Sequence, residues 1–326
     1  MGREQTIPTL DLRDYLSGEP VRQARFVETM GCALADIGFF ALTHHGVDEK
    51  LIAQAYSEAE KFFALPTSAK QVHEDLRLRG QRGYTSYGRE HAKDQAVADM
   101  KEFWHVGREF GPESELNKIY PPCFWPTELK QFRPVFLELY RQLETCAFHL
   151  LEAVARYVGG IPMDHIANGA VDGDSILRVI HYPPVPESAH PAALRAAAHE
   201  DINLITLLCE STDDGLELLQ RDGTWLPIRA VKGQIIVDSG DMLQNLTNGW
   251  VKSTTHRVVN PGNSRDRRFS MPFFVHPRPD FSVAPLPGCV ERTGGPRAEF
   301  RDMTALQYLR ERLDQIGLAA KPSAKG

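Results

Sequence analysis

The sequence predicts an α+β protein: a distorted double-stranded β-helix, or jelly-roll, core flanked by helices. Two patterns and one quantity predict it. From Ile176 to His276 the chain breaks into short runs of β-branched and apolar residues separated by turn signals, and many short strands of this kind close into a jelly-roll sandwich whose open mouth can host a metal. Elsewhere, long segments carry apolar residues at helical spacing. With 326 residues, 42% of them hydrophobic and 9% aromatic, the chain can bury a sizeable core.

Taken in order, Ile7 to Leu12 is a strand candidate, followed by a turn at Ser17-Gly18-Glu19-Pro20. Val21 to Ile37 repeats Phe26, Met30, Ala33, Leu34 and Ile37 and ends at Gly38, as a helix should. Phe39 to Thr43 reads as a short strand, and Glu49 to Ala64 as a helix stopping before Pro66. From about Ala64 to Pro126 the pattern is irregular, which predicts loops approaching the substrate, with Tyr84, Tyr87, Phe103 and Trp104 as candidate pocket walls. Phe132 to Val158 reads as one long helix backing the sheet. Leu216 to Leu219 and Thr224 to Ile228 flank Arg221-Asp222-Gly223, a hairpin with Asp-Gly chemistry. Gln234 to Val237 is a further strand, Met303 to Ile316 a final helix, and the tail from Lys321 frays.

Composition excludes several function classes. The formal net charge is -6 and neither sign forms a long block, so no basic surface invites nucleic acid. Five scattered cysteines, Cys32, Cys123, Cys146, Cys209 and Cys289, lack Cys-x-x-Cys spacing and read as buried reduced thiols rather than a disulfide framework or zinc site. No apolar run approaches a membrane span and no signal peptide begins the chain. The cytoplasm is the default location.

The chemistry concentrates in His199-Glu200-Asp201 and in His256. A His-x-Asp is expected by chance on the order of once in a chain with this many histidines, and His73-Glu74-Asp75 repeats the same triplet. That copy lies in charged, helix-forming KQVHEDLRLR and reads as a solvated helix face. The triplet at 199 runs instead into INLITLLCE, where an extended chain would send His199 and Asp201 to one side, roughly 7 Å apart. A third ligand must come from another element, and His256 lies in the β-branched run VKSTTHRVVN, sharing a face with Thr254 and Val258. Two imidazoles and one carboxylate on one side of an iron leave open positions, as in non-haem Fe(II) oxygenases. Beyond them, RRFSMPFF puts Arg268, Ser270, Pro272 and Phe274 on one strand face, and a guanidinium fork beside a hydroxyl suits a carboxylate.

These residues resemble the 2-oxoglutarate and Fe(II)-dependent dioxygenases of the isopenicillin N synthase-like family. IPTLDL, GFFALTHHGV, RGYTSYG and DMKEFWHVG look like that family's N-terminal region. HYPP, the His-Glu-Asp, GLELLQRDGTWLPI, GDMLQNLTNG, STTHRVVNP and RRFSMPFF look like its catalytic core in the family's order. The resemblance implies residues 1–125 as the N-terminal region, 126–175 as backing helix and linker, 176–280 as the Fe(II)/2-oxoglutarate core and 281–326 as C-terminal helix and tail, in one compact unit. It implies His199, Asp201 and His256 as catalytic iron ligands, Arg268 and Ser270 as holders of the distal carboxylate of 2-oxoglutarate, and Tyr182 as a hydroxyl near it. Tyr84, Phe103 and Phe274 are candidates for the substrate pocket. Two departures stand out: Ile180 occupies the position where many members place an Asn, and RVVNPGNSRDR is a longer link, with Pro261-Gly262-Asn263 as its turn.

The implied reaction is oxidation of a small organic molecule, most simply hydroxylation or desaturation, with O2 consumed and succinate and CO2 released. Ascorbate would serve as an optional reductant. Relatives of the same fold close rings or form ethylene and succinate, and Arg268 and Ser270 alone do not separate these readings. A non-catalytic jelly-roll sensor of a metal or metabolite is the alternative of another class, and a hydrolytic zinc site lacks a general base. Neither the primary substrate nor the oligomeric state follows from the sequence.

Overall fold

The structure, a computed structural model, describes residues 6–78, 80–90, 99–185, 194–229, 231–260 and 266–315. The N-terminal part contributes strands β1 (Thr9–Asp11), β2 (Phe39–Thr43), β3 (Gly83–Thr85) and β4 (Glu102–Val106). The rest are β5 (Ile176–Tyr182), β6 (Ala196–His199), β7 (Ile205–Cys209), β8 (Leu216–Leu219), β9 (Trp225–Ile228), β10 (Ile235–Ser239), β11 (His256–Val258) and β12 (Arg268–Val275). They form a larger sheet in the order β1-β2-β10-β7-β12-β5-β4-β3 and a smaller one in the order β6-β11-β8-β9. Every pairing is antiparallel except β1 with β2.

Helices α1 (Leu12–Leu16), α2 (Pro20–Asp36), α3 (Glu49–Phe63) and α4 (Thr67–Gln71) precede the long α5 (Phe132–Val158). Short α6 (His165–Ala170), α7 (Asp241–Leu246) and α8 (Pro287–Arg292) follow, then α9 (Ala305–Gln315). α5 runs 27 residues and buries Phe136, Leu139, Leu143, Cys146 and Leu150, one apolar stripe at helical spacing. It ends at Gly159, whose φ of +69° suits glycine. α2 and α3 pack on α5, and α5 packs on β12, β4 and β7.

Strand alternation divides the larger sheet into two faces. Phe269, Met271 and Phe273 of β12, Leu177 and Val179 of β5, and Trp104 of β4 join the helices in the main core. The opposite face looks across to the smaller sheet. One end of that space is apolar, with Phe39, Ala41 and Ile236 against Leu216, Leu218, Leu226 and Ile228. The other end holds the polar site.

The expected helices and most strands are present, with shifted ends. Leu12, expected in the first strand, opens α1, because Asp11 caps that helix by accepting from the Arg13 amide at 3.0 Å. The span from Ala64 to Pro126, expected as loops, contains β3 and β4, which extend the larger sheet. His73 does not sit on a helix face, because α4 stops at Gln71; its ring packs 6.1 Å from Phe62 and 5.6 Å from Trp104. All five cysteines are free thiols, but Cys32 is exposed and Cys123 half-buried. The 261–263 turn and the tail from Lys321 lie outside the described residues.

Candidate active site

His199 and His256 are direct neighbours across the β6–β11 ladder, which places their rings 4.5 Å apart. β6 ends at His199, and the chain must then leave the smaller sheet and enter β7 of the larger one. Asp201 lies in that crossover, not on an extended strand as expected, because the chain changes sheets within a few residues. The crossover is pinned: the Asp241 amide donates to the Asp201 carbonyl at 2.7 Å and the Gly240 amide to that of Leu204 at 3.0 Å. Asp201 Oδ1 thereby sits 3.9 Å from both His199 Nε2 and His256 Nε2.

The three candidate ligand atoms all lie within 4.8 Å of one another. His199 Nδ1 faces the Ala197 carbonyl at 2.7 Å, and His256 Nδ1 faces that of Thr254 at 3.1 Å. A carbonyl only accepts, so each Nδ1 carries the proton and each Nε2 presents a lone pair toward Asp201. Burial, then the neighbouring His256, hold the His199 pKa down to about 4, keeping that lone pair available at neutral pH. Asp201 Oδ2 accepts from the Thr206 hydroxyl, which in turn accepts from Asn203 Nδ2 at 2.8 Å. Two neutral imidazoles and a carboxylate, converging with their other atoms tied back, are the donor set a ferrous ion takes. Asp238 pairs with Thr206 across β10 and β7; burial, then the Asp201 charge, push its carboxyl well above the usual range.

Arg268 and Ser270 share a strand face as the alternation predicts, and Tyr182 lies beside Arg268 as the resemblance implies. Arg268 pairs with Tyr182 and Ser270 with Ile180 across β12 and β5, and the Arg268 guanidinium lies 5.0 Å from the Tyr182 ring centroid. Arg268 is 1% exposed; its Nε donates to the Asp213 carbonyl at 3.1 Å, while Nη1 has no acceptor among the described residues. Ile180, in place of an Asn, packs with Phe103 and Tyr182 in a small apolar cluster.

Among the pocket candidates, Phe103 and Phe274 flank the Arg178 guanidinium at 4.4 and 5.3 Å on the face toward the smaller sheet. Tyr84 is not on this face. It pairs with Trp104, and both point into the helix-side core, where the Tyr84 hydroxyl donates to Glu102 and its ring meets Phe62 at 5.7 Å. Alternation explains the correction, since Phe103 and Trp104 are consecutive strand residues and face opposite ways. Trp104 is thus core rather than pocket wall, and Tyr87 is 44% exposed.

Sequence reasoning missed a buried charged network beside the site. Lys101 Nζ pairs with Glu90 at 2.6 Å and Asp99 at 2.8 Å, and Arg178 reaches Glu90 at 3.2 Å and His105 Nε2 at 2.5 Å. Asp99 Oδ1 accepts from the Ala197 amide at 3.0 Å, and the carbonyl of the same residue orients His199. Arg195, beside Arg268, was also missed. The available signal was alternation: DMKEFWHV puts Lys101, Phe103 and His105 on one face.

Comparison with known proteins gives the family. A family model described as non-haem dioxygenase in morphine synthesis N-terminal matches residues 7–128, and one described as 2OG-Fe(II) oxygenase superfamily matches residues 173–277. A proline hydroxylase, buaE, of Petromyces alliaceus is 32% identical, covering 95% of this chain and 99% of its own. A solved putative 2OG-Fe(II) oxygenase family protein of Caulobacter crescentus superposes with a TM-score of 0.85 at 37% identity, covering 95% of this chain and 99% of its own. A full-length Neurospora crassa protein, solved in complex with alpha-KG and thymine, superposes with a TM-score of 0.83 at 25% identity, covering 96% of this chain and 98% of its own. The chain belongs to the 2-oxoglutarate/Fe(II)-dependent non-haem dioxygenases of the isopenicillin N synthase-like type, oxidoreductases that use iron and 2-oxoglutarate.

Proposed function

We propose that His199, Asp201 and His256 hold the iron of this oxygenase, that Arg268 and Ser270 hold the distal carboxylate of 2-oxoglutarate with Tyr182 beside it, and that a small organic substrate is oxidised against Phe103 and Phe274. The convergence of three ligand atoms within 4.8 Å carries the reading. Iron and 2-oxoglutarate together supply the activation of O2, with release of succinate and CO2. The protein's part is positional. The two Nδ1–H···O=C bonds fix the imidazole tautomer, Thr206 fixes the carboxylate, and the apolar end of the jelly roll around Phe39, 5.6 Å from the His256 ring, keeps water from one side.

On the other side the pocket presents aromatic faces together with matched charges, Arg178 and Lys101 against Glu90 and Asp99. This combination suits a small ring-bearing molecule with polar groups, hydroxylated or desaturated near the iron. The molecules named for the relatives, proline for the hydroxylase and thymine bound in the Neurospora crassa complex, are of that size. We further infer that residues 176–280 form the catalytic core within one compact unit. Placement in the cytoplasm is supported by the free thiols, and ascorbate stays an optional reductant that the resemblance alone implies. Among the described residues no helix is long and apolar enough to cross a membrane.

The test is a metabolite screen for succinate release by the Fe(II)-loaded enzyme. A substrate that stimulates succinate formation in equal amount to its own oxidation, with 2-oxoglutarate required and activity lost in Asp201→Ala, supports the reading. Full activity in Asp201→Ala would eliminate the ligand assignment.

A further inference from the structure

We propose that Arg195 is a second guanidinium of the co-substrate anchor, acting with Arg268 on the distal carboxylate of 2-oxoglutarate. This rests on the reading that Arg268 holds that carboxylate. Arg195 lies four residues before His199, at the entrance to β6, and its side chain is fully buried. Its Nη2 donates to the Asp266 carbonyl at 2.6 Å and its Nη1 to Asp213 Oδ2 at 3.3 Å, while Nε has no acceptor among the described residues. Asp213 also ties down Arg268, through its carbonyl. Both guanidinium groups lie over the same Tyr182 ring, at 6.0 and 5.0 Å.

Two features of this pair suit a bound carboxylate. Each guanidinium leaves one buried nitrogen donor with no acceptor among the described residues, Nε of Arg195 and Nη1 of Arg268, and a buried donor without an acceptor is costly unless a ligand supplies one. The charges are also unbalanced. Among the described residues the one carboxylate paired with either arginine is Asp213, whose side chain is 35% exposed, so solvent screens much of its charge. Burial, and the like charge of Arg268, weigh against the charged form of Arg195. An incoming carboxylate beside Tyr182 would relieve the like-charge pair and satisfy the free donors together. Ser270, two residues from Arg268 on the same strand face, adds its hydroxyl.

A merely structural Arg195, holding the segments of Asp213 and Asp266 in place, makes a different prediction from an anchoring one. The experiment is anaerobic calorimetric titration of the Mn(II)-loaded full-length protein with 2-oxoglutarate and with 2-oxopentanoate, which keeps the chelating end but carries a methyl in place of the distal carboxylate. In Arg195→Met the Kd for 2-oxoglutarate is expected to rise about 10- to 100-fold, the loss of one charge-assisted contact. The Kd for 2-oxopentanoate and for the metal should stay within about twofold. Arg195→Lys, which keeps the charge but not the fork, should fall between. Equal weakening of both 2-oxo acids, or unchanged 2-oxoglutarate binding, would overturn the proposal, and if Arg195→Met does not fold, the same comparison is read on Arg195→Lys. Arg268→Met is run in parallel, because undiminished 2-oxoglutarate binding there would fault the underlying reading rather than Arg195.

Discussion

Replacing Thr206 by valine removes one hydroxyl from the interior and leaves the shape of the side chain nearly intact, so its consequences can be worked from two hydrogen bonds. The Thr206 hydroxyl donates to Asp201 Oδ2 and accepts from Asn203 Nδ2 at 2.8 Å. Thr206 is 3% exposed and Asn203 fully buried, so water reaches neither group freely. Loss of the charge-assisted bond to the carboxylate, together with an Asn203 donor left without that acceptor, costs about 3 kcal/mol of folding stability. The larger effect is on the metal. With Oδ2 released, the carboxylate can rotate away from the two imidazoles, and loss of an orienting partner of this kind weakens metal binding about 10- to 100-fold. Anaerobic Fe(II) titration by calorimetry, with urea denaturation of the metal-free protein, measures both quantities. Thr206→Ser, which keeps the hydroxyl, should recover most of each. Wild-type Fe(II) affinity in Thr206→Val would refute the claim that this hydroxyl fixes the ligand.

Other outcomes follow from the same geometry. Arg268→Ala should raise the 2-oxoglutarate concentration needed for turnover by about 100-fold or more, through loss of a buried charge-assisted fork, while calorimetric Fe(II) affinity changes far less. Phe274→Ala should raise the substrate KM, whereas Tyr84→Phe should leave it unchanged and lower stability by about 1 to 3 kcal/mol, since the Tyr84 hydroxyl serves Glu102 inside the helix-side core. Burial, and then the Arg178 charge, hold His105 neutral far below its ordinary value of 6.5. The unfolded chain therefore binds the extra proton first as pH falls below about 6.5, so stability present above that pH declines through the acid range. Urea midpoints between pH 7.5 and 5.5 should show this slope, and His105→Asn should reduce it, with His45, His199 and His276, likewise held below their ordinary value by burial, supplying the remainder; an equal slope in the variant would clear His105 of the effect.

Much of the site is legible in the sequence because its parts sit in regular strands. RRFSMPFF alternates so cleanly that Arg268, Ser270 and Phe274 can be placed on one face and Phe269, Met271 and Phe273 on the other, as clusters and pairings bear out. His199 and His256 can be named but not paired, since a ladder partner is a non-local fact. Asp201 illustrates the limit of alternation: its residue type points to the metal, but its position depends on a crossover between sheets that no two-residue period encodes. β3 is hidden because a three-residue strand between glycines and turns carries too little periodicity. Without that part of the sheet in view, the side of it that Tyr84 faces cannot be read. Arg195, Asp99 and Asp238 are invisible for a different reason. Each is an ordinary polar residue in sequence, and only burial against partners from distant segments turns it into part of the site.

Three side chains sharing one ferrous ion are the centre of the proposed chemistry. Diffraction data collected at the iron absorption edge from crystals grown anaerobically with Fe(II) and 2-oxoglutarate test this most directly. A single anomalous peak bonded to His199 Nε2, His256 Nε2 and an Asp201 carboxylate oxygen, absent in Asp201→Ala crystals, is the predicted result. A peak elsewhere, or one at the same place in the Asp201→Ala protein at full height, would contradict it.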